Sequence, residues 1–78
     1  MVRYPAILIY DKESEVYNVF FPDVYGAVSF GKSIEEAIVN AKDCLSLCLS
    51  GVDERDLPIA SDINKLKEEY QHVEIIEV

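Results

Sequence analysis

The segment Phe21-Pro22-Asp23-Val24-Tyr25-Gly26, with Ser33-Ile34-Glu35-Glu36-Ala37 beginning seven residues later, leaves this chain few ways to fold. A strand that runs into Pro22 must stop there, because proline has no N–H to give to the ladder. Gly26 can take a positive φ and turn the chain. Ser33 is a good N-cap, Glu36 three residues on completes a capping box, and Glu35 suits the helix dipole. Strand, turn, short strand and capped helix must therefore follow one another.

The flanking sequence extends this order. Residues 3–10 form an apolar run rich in β-formers, which reads as a strand apolar on both faces, with Pro5 at its beginning or on an unpaired side. Residues 11–15 are polar and lack the Asn-Gly signature, so they make a longer hairpin loop. Residues 16–21 are a second strand, with Tyr17, Val19 and Phe21 on one face and Val16, Asn18 and Phe20 on the other. Residues 27–31 are a short third strand. The helix follows: Ile34, Ala37, Ile38, Ala41, Leu45, Cys48 and Leu49 recur at helical spacing, and Gly51 stands where a left-handed residue would end it. Val39 and Leu47 fall on its opposite side. Residues 53–60 read as a loop containing Pro58, residues 62–70 as a short second helix capped by Ser61 or Asp62, and residues 72–78 as a final strand whose alternation slips at Ile75-Ile76.

The fold class is α+β: a two-layer β-β-β-α-(short α)-β domain spanning residues 1–78. The first three strands form an antiparallel meander. With the long helix returning the chain, the final strand is expected beside the first and parallel to it. The helix covers one sheet face; the other stays open and includes Phe20. An uncovered apolar face of this kind is usually an interface, and a chain of this size often gains stability by oligomerising.

The formal net charge is −8. Residues 1–52 hold seven acids and four bases, and residues 53–78 hold eight acids and three bases. No basic stripe is present to neutralise phosphates, so direct nucleic-acid binding is not expected. The acidity serves solubility, or it makes a face that docks a basic partner. No apolar run is long enough to span a bilayer, the N-terminus is no signal peptide, and two cysteines suit a reducing compartment. The expected location is the cytoplasm.

Reactive chemistry is sparse. Cys44 and Cys48 share a helix side, where they serve as small hydrophobes; the only histidine, His72, lies far along the chain. Asp11 and Asp23 each follow a strand, and Glu36 and Asp43 lie on the helix's outer side. Paired carboxylates can bind Mg²⁺ and act in general acid–base catalysis, but Asp23 is equally a turn residue bonding nearby amides, and Asp11 a loop solvator. There is no phosphate loop, zinc spacing or nucleophile elbow. No cofactor, no metal and no enzymatic activity are expected.

Tyr4-Pro5-Ala6, then Tyr17-x-Val19-x-Phe21-Pro22-Asp23-x-x-Gly26, then Gly31-x-Ser33-x-Glu35-Glu36-Ala37, then Ala41-Lys42 with Leu45, resembles the N-terminal domain of HicB-like antitoxins. The resemblance covers residues 3–78. It implies a partial ribonuclease H-like fold without that enzyme's active site. It also implies a non-catalytic role: masking HicA, a small basic mRNA-interferase toxin. Many family members carry a C-terminal DNA-binding segment; the sequence ends at Val78 without one, so operator binding is not expected of it. The contact surface is expected at Phe20, Pro22, Asp23 and Tyr25, with Tyr25 either an aromatic anchor or folded over its own core. Ile9, Tyr10, Phe20 and Leu47 are expected to support self-association into a homodimer or higher oligomer. Two alternatives stand beside the antitoxin reading: a stand-alone homo-oligomeric adaptor with no toxin, and a residual metal-dependent nuclease using Asp11 and Asp23.

Overall fold

The computed structural model describes residues 3–71 and 73–78. Seven elements follow in order: β1 (Pro5–Asp11), β2 (Val16–Phe20), β3 (Val28–Gly31), α1 (Ile34–Leu49), a 3-10 turn (Glu54–Asp56), α2 (Ile63–Glu69) and β4 (Glu74–Glu77). His72, assigned above to the last strand, lies outside the described residues.

The strands form one sheet in the order β3-β2-β1-β4. The meander is as expected, with Leu8 opposite Val19 and Phe20 opposite Val28. β4 does lie beside β1, but antiparallel, with Pro5 opposite Glu77 and Leu8 opposite Glu74. This corrects the parallel orientation read from the sequence. The expectation let α1 alone reverse the chain. In the structure α2 reverses it again: its seven residues carry the chain back by roughly 10 Å, so β4 runs opposite to β1. Pro5 begins β1 as expected. Tyr4 and Val78 exchange both backbone hydrogen bonds, so the next pair, Pro5 and Glu77, is a non-bonded one that needs no proline N–H.

α1 is built as its residues dictate. The Ser33 hydroxyl accepts from the Glu36 N–H at 3.1 Å, and the Glu36 carboxylate accepts from the Lys32 N–H. Gly51, at φ +79°, follows the C-cap residue Ser50. Ala37, Ala41 and Leu45 are buried against Tyr4, Ala6, Leu8, Val19, Phe21 and Ala27. Three small or medium residues bring the helix close to the sheet. Closest is Gly31, where a Cβ would run into the Ala37 backbone, with Ala37 Cα at 2.7 Å.

The second sheet face is only partly open. Ile7 is fully buried yet stands outside the cluster under α1, as alternation along β1 requires. Leu66 of α2 is also buried outside that cluster. The Tyr70 ring at the end of α2 meets Phe20 edge-on, with centroids 5.9 Å apart. α2 therefore covers the β1–β4 half of this face. The apparent slip at Ile75-Ile76 follows from that arrangement. Ile76 turns toward the α1 core and Ile75 toward the face that α2 covers, so both need to be apolar.

Candidate partner-binding site

The Pro22–Gly26 loop is a compact double turn. Val24 N–H donates to Phe21 O, Ala27 N–H to Val24 O, and Phe21 N–H to Ala27 O. This folding buries Val24 and leaves Pro22 and Tyr25 in solvent. Tyr25 is fully exposed, which removes the reading in which it folds over its own core: Val24 closes over the core instead. Gly26 supplies the turn at φ +83°.

Asp23 does not bond its neighbouring amides, as its turn position suggested. Its carboxylate accepts from the backbone N–H of Ser61 at 2.7 Å and from the Ser61 hydroxyl at 2.5 Å. A second tie lies nearby in sequence: the buried Tyr4 donates its hydroxyl to Pro58 O at 2.6 Å. Together these fasten the segment between α1 and α2 to the end of the sheet. Ile59, between the two ties, is 91% exposed. Tyr25 and Ile59 are thus carried by two loops held to each other and to the core. Around Ile59, residues 53–62 hold four acids and one base, Arg55, and that base is already paired with Asp53 at 3.4 Å. The Arg55 backbone N–H and guanidinium hold the Asp53 carboxyl below the usual carboxylate range.

Of the expected contact residues, Pro22 and Tyr25 are exposed, Asp23 is engaged by Ser61, and Phe20 is half-buried against Tyr70. The four residues expected to drive self-association do not share a surface. Ile9 and Phe20 lie on the face that α2 partly covers. Tyr10 lies on the other face, 4.9 Å from the Tyr17 ring, and Leu47 is exposed on α1. The sequence places Val28 and Phe30 on one side of the third strand, and the register with β2 puts that side on the Ile9–Phe20 face. They are 66% and 63% exposed, and with Asn18 and Phe20 they line a shallow groove.

The carboxylates do not assemble. Asp11 lies at the β1–β2 turn, where it accepts from Glu13 N–H and from Ser14. Asp23 lies beyond the opposite end of β2, roughly 20 Å away by strand rise. The nuclease site that pairs them is not formed. Among the described residues, no group of three His, Cys, Asp or Glu side chains stands ready to hold a metal, and no helix is long and apolar enough to cross a membrane. Burial pushes the Cys44 thiol up from its ordinary pKa, and the adjacent Cys48 adds to this. A protonated thiol donating to Val28 O at 3.3 Å is no nucleophile.

The sequence profile of the HicB-like antitoxin of bacterial toxin–antitoxin systems matches residues 4–78. The crystal structure of the N-terminal domain of Burkholderia pseudomallei antitoxin HicB superposes with a TM-score of 0.75 at 26% identity, covering 99% of this chain and 95% of that one. The crystal structure of B. pseudomallei antitoxin HicB gives a TM-score of 0.80 at 28% identity, covering all of this chain and 62% of that one. An uncharacterized 14.9 kDa protein of Haemophilus phage HP1 is 34% identical over 64 residues, 80% of this chain. A UPF0150 protein of Helicobacter pylori is 34% identical over 58 residues, 74% of this chain and 81% of its own length. The chain spans 47% of the phage relative's length. Sequence and fold agree: the chain belongs to the HicB-like antitoxin family of bacterial toxin–antitoxin systems.

Proposed function

We propose that the chain is a non-catalytic antitoxin module that binds a small basic mRNA-interferase toxin of the HicA type and masks its active site in the cytoplasm. The observation that carries this reading is the stapled end of the domain. Tyr25 and Ile59 project fully from two loops held by the Asp23–Ser61 and Tyr4–Pro58 bonds, amid the acids of residues 53–62. Immobilised loops lose little entropy when they dock, and an exposed aromatic ringed by polar groups is a typical hot spot. The −8 charge attracts a basic partner over distance and accelerates encounter. Phe20 and Pro22 border the same loop. Asp23 serves the contact indirectly, by fixing the loop.

The test is co-expression with the product of the adjacent gene, which this reading expects to be a small basic protein. A stable complex and relief of toxin-induced growth arrest are expected, with both weakened by Tyr25→Ala. Unrelieved arrest and no complex would instead favour the stand-alone adaptor reading.

A further inference from the structure

α1 carries two thiols one helical turn apart. Cys44 and Cys48, both free, stand at i and i+4, which puts them on one side of the helix with Cβ atoms roughly 5–6 Å apart. The Cys44 thiol is held in place, donating to Val28 O at the edge of the sheet at 3.3 Å. Cys48 is exposed, so the pair opens to solvent on that side. Burial raises the Cys44 pKa, and Cys48 adds to the rise through its charge and a side-chain hydrogen bond. The two sulfurs therefore lie within reach of each other. Neither the core nor the contact surface around Tyr25 and Ile59 uses Cys48.

Distance decides what such a pair can do. A disulfide needs Cβ atoms roughly 3.5–4.5 Å apart, closer than successive turns of a helix bring them. A metal ion between two thiolates adds two bonds of roughly 2.3 Å each, so the sulfurs stand about 4.6 Å apart when the three atoms are in line. Side chains rising from adjacent turns reach that span without moving the backbone. Donor number then selects the ion. Structural Zn²⁺ takes four ligands, and among the described residues no third His, Cys, Asp or Glu joins these two. Thiolates favour soft ions, and Cu(I) is a soft ion that two thiolates in line satisfy.

We propose that Cys44 and Cys48 form a two-coordinate thiolate site for a soft monovalent cation, Cu(I). On binding, each thiol releases its proton to solvent and each sulfur forms one bond to the ion, with no change of oxidation state. Two neutral thiols and one cation become a complex with one negative charge. Val28 O gives up the hydrogen bond from Cys44, and the ion staples the last turn of α1 from Cys44 to Cys48. The expectation of no metal rested on ligand sets larger than two.

Titration of the reduced chain with Cu(I) against the chromophoric chelator bicinchoninate tests this, with molecular mass and amide hydrogen exchange followed on the same samples. One Cu(I) per chain is expected, with no association of chains on loading. Affinity should rise about a hundredfold per pH unit near neutrality, because two protons leave for each ion bound. Cys44→Ser and Cys48→Ser should each lower the affinity at least a hundredfold; Cys48 is exposed, so its variant keeps the fold. Amides in the last turn of α1 should exchange more slowly on loading in the parent chain and not in either variant. A tenfold dependence per pH unit would mean one thiolate acting alone and would overturn the proposal, as would one ion joining two chains. Failure to withdraw Cu(I) at any chelator concentration that keeps the ion dissolved would overturn it too, and none of these three results needs a variant to fold.

Discussion

The Asp23 carboxylate receives both the backbone N–H and the hydroxyl of Ser61, a residue thirty-eight positions further along the chain. The Phe-Pro-Asp turn is thereby a tie between the end of the sheet and the segment that leads into α2. Charge-assisted hydrogen bonds to a half-buried carboxylate are worth more than neutral ones, though partial exposure reduces the value. Asp23→Ala should lower unfolding free energy by about 1–2 kcal/mol and Ser61→Ala by about 1 kcal/mol. Urea denaturation of both singles and the double should show coupling, the double costing less than the sum.

Gly31 has no room for a side chain. A Cβ there would sit 2.7 Å from Ala37 Cα and 2.8 Å from the Glu36 carbonyl carbon, and both neighbours are backbone, which cannot swing aside. Gly31→Ala should cost about 3 kcal/mol by pushing α1 off β3, seen as a lower midpoint in thermal or urea unfolding.

Glu15 closes the β1–β2 hairpin at φ +56°, the left-handed region that side chains with a Cβ disfavour. Its side chain is exposed and makes none of the structure's hydrogen bonds among the described residues. Glu15→Gly should therefore stabilise the fold by roughly 0.5–1 kcal/mol, measured by the same denaturation.

Burial raises the Cys44 pKa above its ordinary 9.0. A raised folded-state value means that the folded protein holds the proton more tightly than the unfolded chain does. The resulting stability is fully present below pH 9 and is lost as pH rises through the folded value. Cys44→Ser keeps a donor for Val28 O and removes the titrating thiol. Its stability should fall less between pH 8 and pH 10.5 than that of the parent chain, in parallel denaturation series.

Much of this fold is legible in local sequence because local chemistry determines it. Ser33 with Glu36, Gly26 and Gly51 need only their immediate neighbours to act as cap, turn and helix stop. The spacing of Ala37, Ala41 and Leu45 marks the helix face without reference to anything else. What escapes depends on distant partners. The direction of β4 hinges on whether α2 reverses the chain, and periodicity gives length but not heading. Asp23 carries the same residue type whether it bonds the next amide or Ser61. Tyr25 reads as buried or exposed until Val24 is seen to take the inward place. Gly31 looks like a strand glycine until Ala37 is placed above it, and the separation of Ile9, Tyr10 and Leu47 onto different surfaces follows only from register.

The most direct measurement is calorimetric titration of this chain with the product of the adjacent gene, expected to be a small basic protein, at low and high salt. A tight complex that weakens as salt rises is expected, and Tyr25→Ala should weaken it by about 2 kcal/mol, or roughly thirtyfold. No heat of binding at micromolar concentrations in low salt, or an affinity indifferent to both Tyr25 and Ile59, would contradict it.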